Sequence, residues 1–266
     1  MAPEKLPLPF ALPLIGHEIP NTLPATWLTM ALLILISLFA FRKPKMVPSG
    51  LQNVVEVPVE FFYNFVEGVA GEKARRFFPL VATFFFFILI SNWMGLLPGF
   101  GSIGLKEHHN GEEILVPFFR SANADLSTTI ALALLSVGAT QYFGLTTLGL
   151  PYLGKFFNFR RVANYFRGGA HRSVFDLLTG LIEIPVGILE LISEFIKILS
   201  FSFRLFGNIF AGEVLLIVMG FLVAFIAPLP FMLLEIFVGF VQALIFSMLS
   251  LVFFMMATVH HGEEPH

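Results

Sequence analysis

EIPVGILELISEFIKILSFSFRLFGNIFAGE, residues 183–213, is the stretch on which the fold turns. It lies within a mainly apolar run from Val174 to Ala227 whose only proline is Pro185. A helix over residues 186–226 would be about 60 Å long, about twice the hydrocarbon thickness of a bilayer. The run therefore holds either two spans or one steeply tilted helix. At about 100° per residue, Glu183, Glu190, Glu194, Lys197, Arg204 and Asn208 share a strip about 80° wide on one helix face. Asp176 extends that strip, and Glu213 points elsewhere. A polar strip on a helix this apolar marks function, because lipid penalises each of these groups.

Working outward, the last run, residues 231–259, is also too long for an upright helix. It carries Glu235 and Gln242 on a shared face, seven residues apart, and APLPF (residues 227–231) is the turn before it. Upstream, residues 25–41 are one span, ended by Arg42, Lys43 and Lys45. Residues 52–72 alternate apolar positions with Glu56, Glu60, Glu67 and Glu72, the pattern of a helix lying on a membrane surface. Pro58 kinks that helix or delays its start. Residues 77–97 form a second span, closed by Pro98 and Gly99, and residues 126–150 a third. Phe84–Phe87 read as lipid-facing bulk. Residues 1–24, with six prolines and one lysine, read as an extended arm rather than a secretory signal or a transit peptide.

Composition agrees. Of 266 residues, 56% are hydrophobic and 13% charged, about half the charge usual in soluble domains. With no cysteine there is no disulfide framework, thiolate metal site or cysteine nucleophile. A net charge of −2 excludes a strongly basic nucleic-acid binder. The sequence predicts an all-α membrane protein of one integral domain, 1–266. It consists of an N-terminal span, a surface amphipathic helix (52–72), a helical hairpin (77–97 and 126–150) and two long tilted helices (174–227 and 231–259).

Orientation follows the Lys/Arg bias. Eleven basic residues, including Arg75, Arg76, Arg160 and Arg161, fall on one side, and only Lys5, Lys106 and Arg120 on the other. The basic side is cytoplasmic and the arm external. The HHGEEPH tail is cytoplasmic if residues 186–226 are one span and external if they are two. The basic stretch LGKFFNFRRVANYFRGGAHR anchors to anionic lipid or touches a partner's stalk. His108, His109, Glu112 and Glu113 lack the spacing of a closed metal site and read as a solvated external loop.

The strip can do chemistry. Glu194 and Lys197, at i,i+3, could simply pair. Arg204 has no acid three or four residues away, so its counter-charge should come from another helix or another subunit. Carboxyl groups along a half-open aqueous path can carry protons, whereas a guanidinium does not give its proton up. Acids interrupted by one untitratable cation look like two half-paths kept apart.

SFRLFGNIFAGE (residues 202–213) resembles the signature of subunit a of rotary F-type ATP synthases. Gln242 within VQALIFSMLSLVFFMMA, NWMGLLPG (92–99) and ANADLSTT (122–129) are similar to other segments of that family, and the resemblance covers about residues 18–256. It implies a non-catalytic, multi-pass stator subunit with no cofactor and no metal, and the lack of a transit peptide favours a bacterial plasma membrane. The subunit would lie beside a ring of c-subunits, with the b-subunit stalk and the remaining synthase subunits as partners. Two offset half-channels would carry protons to and from the ring. Residues 186–226 would be one tilted helix packed against the ring, and the tail cytoplasmic.

Residue by residue, the resemblance implies that Arg204 faces the ring, with Gln242 close to it and Asn208 one turn on. Glu213 and Glu235 would serve the outer half-channel. Glu190, Ser193 and Lys197 would serve the cytoplasmic exit. Asp125 and Asn123 would belong to the polar start of the third span. The best-known bacterial pattern pairs a histidine with the outer acid; here Glu235 stands in its place, and two carboxylates approaching closely would share a proton. Rival readings are a self-contained secondary transporter, which usually shows two repeat halves, and an assembly subunit whose charges merely pair. No second copy of the Arg204 motif is present.

Overall fold

The structure is a computed structural model and describes residues 22–42, 45, 50–97, 104–109, 112–117, 120–155, 174–223, 226 and 228–259, with backbone alone at 104–109, 112–117, 150, 153, 155 and 174–184. The proline-rich arm before Thr22, most of the basic stretch after Lys155 and the tail from His260 lie outside these residues.

The protein is an all-helical membrane protein. Among the described residues the helices are α1 (Thr22–Ala40), α2 (Leu51–Ala70), α3 (Ala74–Gly95), α4 (Leu126–Leu148), α5 (Val174–Leu222) and α6 (Pro228–Ala257). Short 3-10 turns occupy Gly71–Lys73, Ala122–Ala124 and Leu150–Lys155. Among the described residues, five helical stretches are long and apolar enough to cross a bilayer, the second being α2 and α3 taken together. One small exception to helix stands where the sequence suggested a loop. Strands β1 (Gly104–His109) and β2 (Glu112–Pro117) pair antiparallel, with His108 opposite Glu113 and His109 opposite Glu112. Asn-Gly, a favoured hairpin dipeptide, separates them in sequence.

α5 is continuous over 49 residues, with Pro185 inside it. Pro58 likewise sits inside α2, which starts at Leu51 without delay. A proline removes one N–H and frees the carbonyl four residues back; here both Pro58 and Val54 are exposed, so the freed group does not fall in the core. Gly71 ends α2 with φ +55°, which side-chain-bearing residues rarely adopt. Its N–H bonds the Glu67 carbonyl.

By contacts the chain forms two compact units, Met1–Thr129 with Ser202–Leu251, and Ile130–Phe201 with Val252–His266. In the first, the phenylalanine run of α3 is core rather than lipid-facing bulk: Phe84, Phe85 and Phe87 are all buried. Phe85 stacks on Phe62 of α2 at 4.2 Å and meets Phe240 of α6 edge-on, while Phe84 meets Phe246 of α6 at 5.6 Å. Five aromatic residues packed this way gain both area and ring geometry. α2 thus has three faces: Phe62, Val66 and Ala70 buried, Glu60 and Glu67 exposed, and Leu51, Val54, Phe61 and Phe65 forming an outward apolar row.

In the second unit, the ring of Tyr152 occupies the space that a side chain at Gly144 would need, and its hydroxyl donates to Gln141 Oε1 at 2.8 Å. Phe143 of α4 packs on Phe254, and Phe201 of α5 on Phe253, both in the last turns of α6.

Candidate functional site

In the first unit, polar side chains from α3, α5, α6 and the segment before α4 gather inside an otherwise apolar bundle. Asn208 of α5 donates its amide to Gln242 Oε1 of α6 at 2.7 Å. Gln242 is 3% exposed, and its Nε2 has no partner among the described residues. The bond therefore holds Gln242 through its oxygen and leaves a buried donor over. Arg204 stands on the exposed surface of α5, one turn before Asn208 and next to Phe203, which is also exposed. A long cation on an apolar surface is the costly arrangement that membrane proteins keep for function.

Further along α5, Glu213 and Gly212 meet α6 and the segment before α4. Arg120 donates to Glu213 Oε2 from both Nε (3.1 Å) and Nη2 (2.6 Å), a charge-assisted contact between partly buried groups. Glu235 of α6 is 8% exposed, and its carboxyl lies over Gly212, so closely that a methyl there would overlap it. Glu213 and Glu235 are near enough for their charges to act on each other.

The polar start of α4 is anchored rather than loose. Asn123, fully buried, donates to Asn92 Oδ1 of α3 at 2.7 Å, and Asn92 donates to the Gly239 carbonyl of α6 at 3.2 Å. Gly239 permits this approach, since a Cβ there would come within 3.1 Å of Asn92 Cβ. Asp125 accepts from the Ser127 N–H, the N-cap geometry for α4, and from the Thr22 hydroxyl at the start of α1. Asn123 Oδ1 and Ser91 Oγ are buried without partners among the described residues. Such orphans are where ordered water is found in membrane bundles and soluble cores alike.

The second unit holds the other set. Lys197 pairs with Glu194 at 2.7 Å and sits 4.8 Å from the centre of the Phe253 ring, so the local ion pair raised by the i,i+3 spacing is present. Glu190 and Ser193 are half-buried on the same helix. Burial, then the nearby Glu194 and Glu190, push the Tyr152 phenol up to about 12. It is therefore a neutral hydrogen-bond donor at physiological pH. Among the described residues no group of His, Asp and Glu could hold a metal.

The structure thus brings Asn208 to Gln242 and Glu213 to Glu235, and joins Asn123 and Asp125 to the α3 and α1 scaffold. It also supplies participants that sequence reasoning passed over: Arg120, Asn92, Gly212 and Tyr152. Arg120 and Asn92 had a signal, since each is polar within apolar sequence beside a motif segment. Their pairing with Glu213 and Asn123, 93 and 31 residues away, had none.

Comparison with known proteins bears on this arrangement. "ATP synthase subunit a" of Syntrophobacter fumaroxidans is 36% identical over 236 residues, covering 88% of this chain and 83% of that protein. The family described as the ATP synthase A chain matches residues 23–255, which include every polar side chain of both clusters except Thr22. With its Arg204–Gln242 region and that match, the chain belongs to the ATP synthase A chain family.

Proposed function

We propose that this chain is the non-catalytic stator subunit through which an F-type ATP synthase couples proton flow to rotation of a c-ring. Arg204, Asn208 and Gln242 form the surface that meets the ring carboxylate. Glu213, Glu235, Asn123 and Asp125 line an outer half-channel, and Glu190, Ser193 and Lys197 an inner one. The b-subunit stalk and the other synthase subunits complete the complex. The N-terminus is external and the C-terminus cytoplasmic in a bacterial plasma membrane, with the two last helices tilted against the ring.

The observation that carries this reading is the exposed position of Arg204 on α5, beside an amide pair that fixes Gln242. A guanidinium keeps its charge in an apolar setting, so it can draw the proton off an arriving carboxylic acid but cannot relay it. It thereby separates the two paths electrically while the ring turns. The test is proton-driven ATP synthesis by the whole complex in liposomes. Arg204→Ala is expected to abolish it, and Arg204→Lys to impair it severely because a desolvated lysine can lose its proton. Normal coupling in the alanine variant would refute the role.

A further inference from the structure

We infer that Arg120 is a positioning residue of the outer proton path, clamping the Glu213 carboxyl so that one oxygen is held and the other is presented to the moving proton. This rests on the function proposed above.

Three observations carry it. Both guanidinium contacts fall on the same atom, Glu213 Oε2, at 3.1 and 2.6 Å, so Oε1 lies outside the clamp. Arg120 is rooted, not carried on a loose loop. Its neighbour Ser121 is 4% exposed and seated against Gly95, where a Cβ would come within 2.8 Å of the serine Cβ. Two residues on, Asn123 is fully buried and bonded to Asn92. Third, among the described residues the charged and titratable groups at this place are Arg120 before α4, Glu213 on α5 and Glu235 on α6, whereas Asp125 is turned to Thr22 and the start of α4.

One guanidinium and two carboxyls are electrically neutral when a single proton resides on the carboxyl pair. A neutral cluster is the arrangement a low-dielectric interior tolerates. Arg120 never gives up its own proton, so it remains a fixed counter-charge while a proton arrives at Glu213 and passes to Glu235. Without it, Glu213 loses its orientation and its counter-charge together. With that charge gone a proton is held more readily on the carboxyl pair, so a less acidic outer side suffices to load the path, although the ring surface is untouched.

The test uses the complete complex in liposomes and reads initial ATP synthesis against the pH of the outer-facing compartment, with assembled complex quantified. Arg120→Gln is expected to lower the outer proton concentration for half-maximal synthesis at least about tenfold, the value of one lost charge-assisted hydrogen bond to the carboxylate. The maximal rate should stay within about twofold, a split between apparent KM and kcat. Arg120→Lys should fall between that variant and wild type. Adding Arg120→Gln to Glu213→Gln should change little, less than about twofold, because Arg120 acts through Glu213. An unchanged half-saturating pH, or full additivity with Glu213→Gln, overturns the inference. If Arg120→Gln does not assemble, Arg120→Lys decides: a shift in the same direction supports the clamp and none overturns it. Failure of both to assemble makes Arg120 a strut and also overturns it. Arg204→Ala serves as control, since normal synthesis there would sink the stator reading whatever Arg120 shows.

Discussion

Gly212→Ala offers a direct test of how α5 and α6 meet. A methyl at Gly212 would fall 2.5 Å from Glu235 Oε2, with the other two carboxyl atoms closer still. Ordinary contact begins near 3.4 Å, so even the least crowded atom must retreat by 3.4 − 2.5, or 0.9 Å. Glu235 is buried and has little room to do so. Overpacking of this kind costs about 1–3 kcal/mol. If the carboxyl yields rather than the helices, the cost appears as misplacement at the proton path, where about 1 Å can lower a rate by about 100-fold. The assay is ATP-driven acidification of inverted membrane vesicles, read by a pH-sensitive dye and normalised to assembled subunit. Gly212→Ala is expected to reduce pumping at least about tenfold, the factor for about 1.4 kcal/mol. Glu235→Asp, shorter by one methylene and so by about 1.3 Å, should recover part of it in the double variant. Wild-type pumping by Gly212→Ala, or no recovery in the double variant, would refute the contact.

Asn123→Ala removes the donor to buried Asn92 Oδ1 and should cost about 1–3 kcal/mol, seen as a lower melting temperature of the complex in detergent. Asp125→Ala loses the cap on α4 and the tie to Thr22; about 0.5–2 kcal/mol is expected from the cap alone, while Asp125→Asn, which still caps, should retain most of it. Tyr152 predicts an alkaline transition. Its phenol, ordinarily near about 10, is raised to about 12, so its stabilising contribution is complete below the ordinary value and is lost as pH climbs through the raised one. Melting followed over that window should show a step that Tyr152→Phe abolishes.

The all-helical membrane class was legible because lipid writes its demand into runs of apolar residues, and the family because residues 202–213 are so distinctive. The 34-residue separation of Asn208 and Gln242 was bridged by two motif positions, but only the fold shows which amide atom faces which. Arg120 looked like one of three external basic residues, since charge counting assigns sides and not partners. Gly212 looked like a small residue in a motif; its purpose appears only when Glu235 is laid over it. The phenylalanines of α3 were misjudged because hydropathy does not distinguish a ring against lipid from one against Phe62 or Phe246. Pro58 was ambiguous because a proline's effect on a helix depends on where the freed carbonyl points.

The hydrogen bond from Thr22 to Asp125 spans 103 residues of chain. A ribosome adding about 5–20 residues per second needs about 5–20 s to make that stretch. For that interval the first helix is already made while the group that fastens its N-terminal end does not yet exist. The registration of α1 against the bundle is thus settled late, by a carboxylate that must first reach the same face of the membrane.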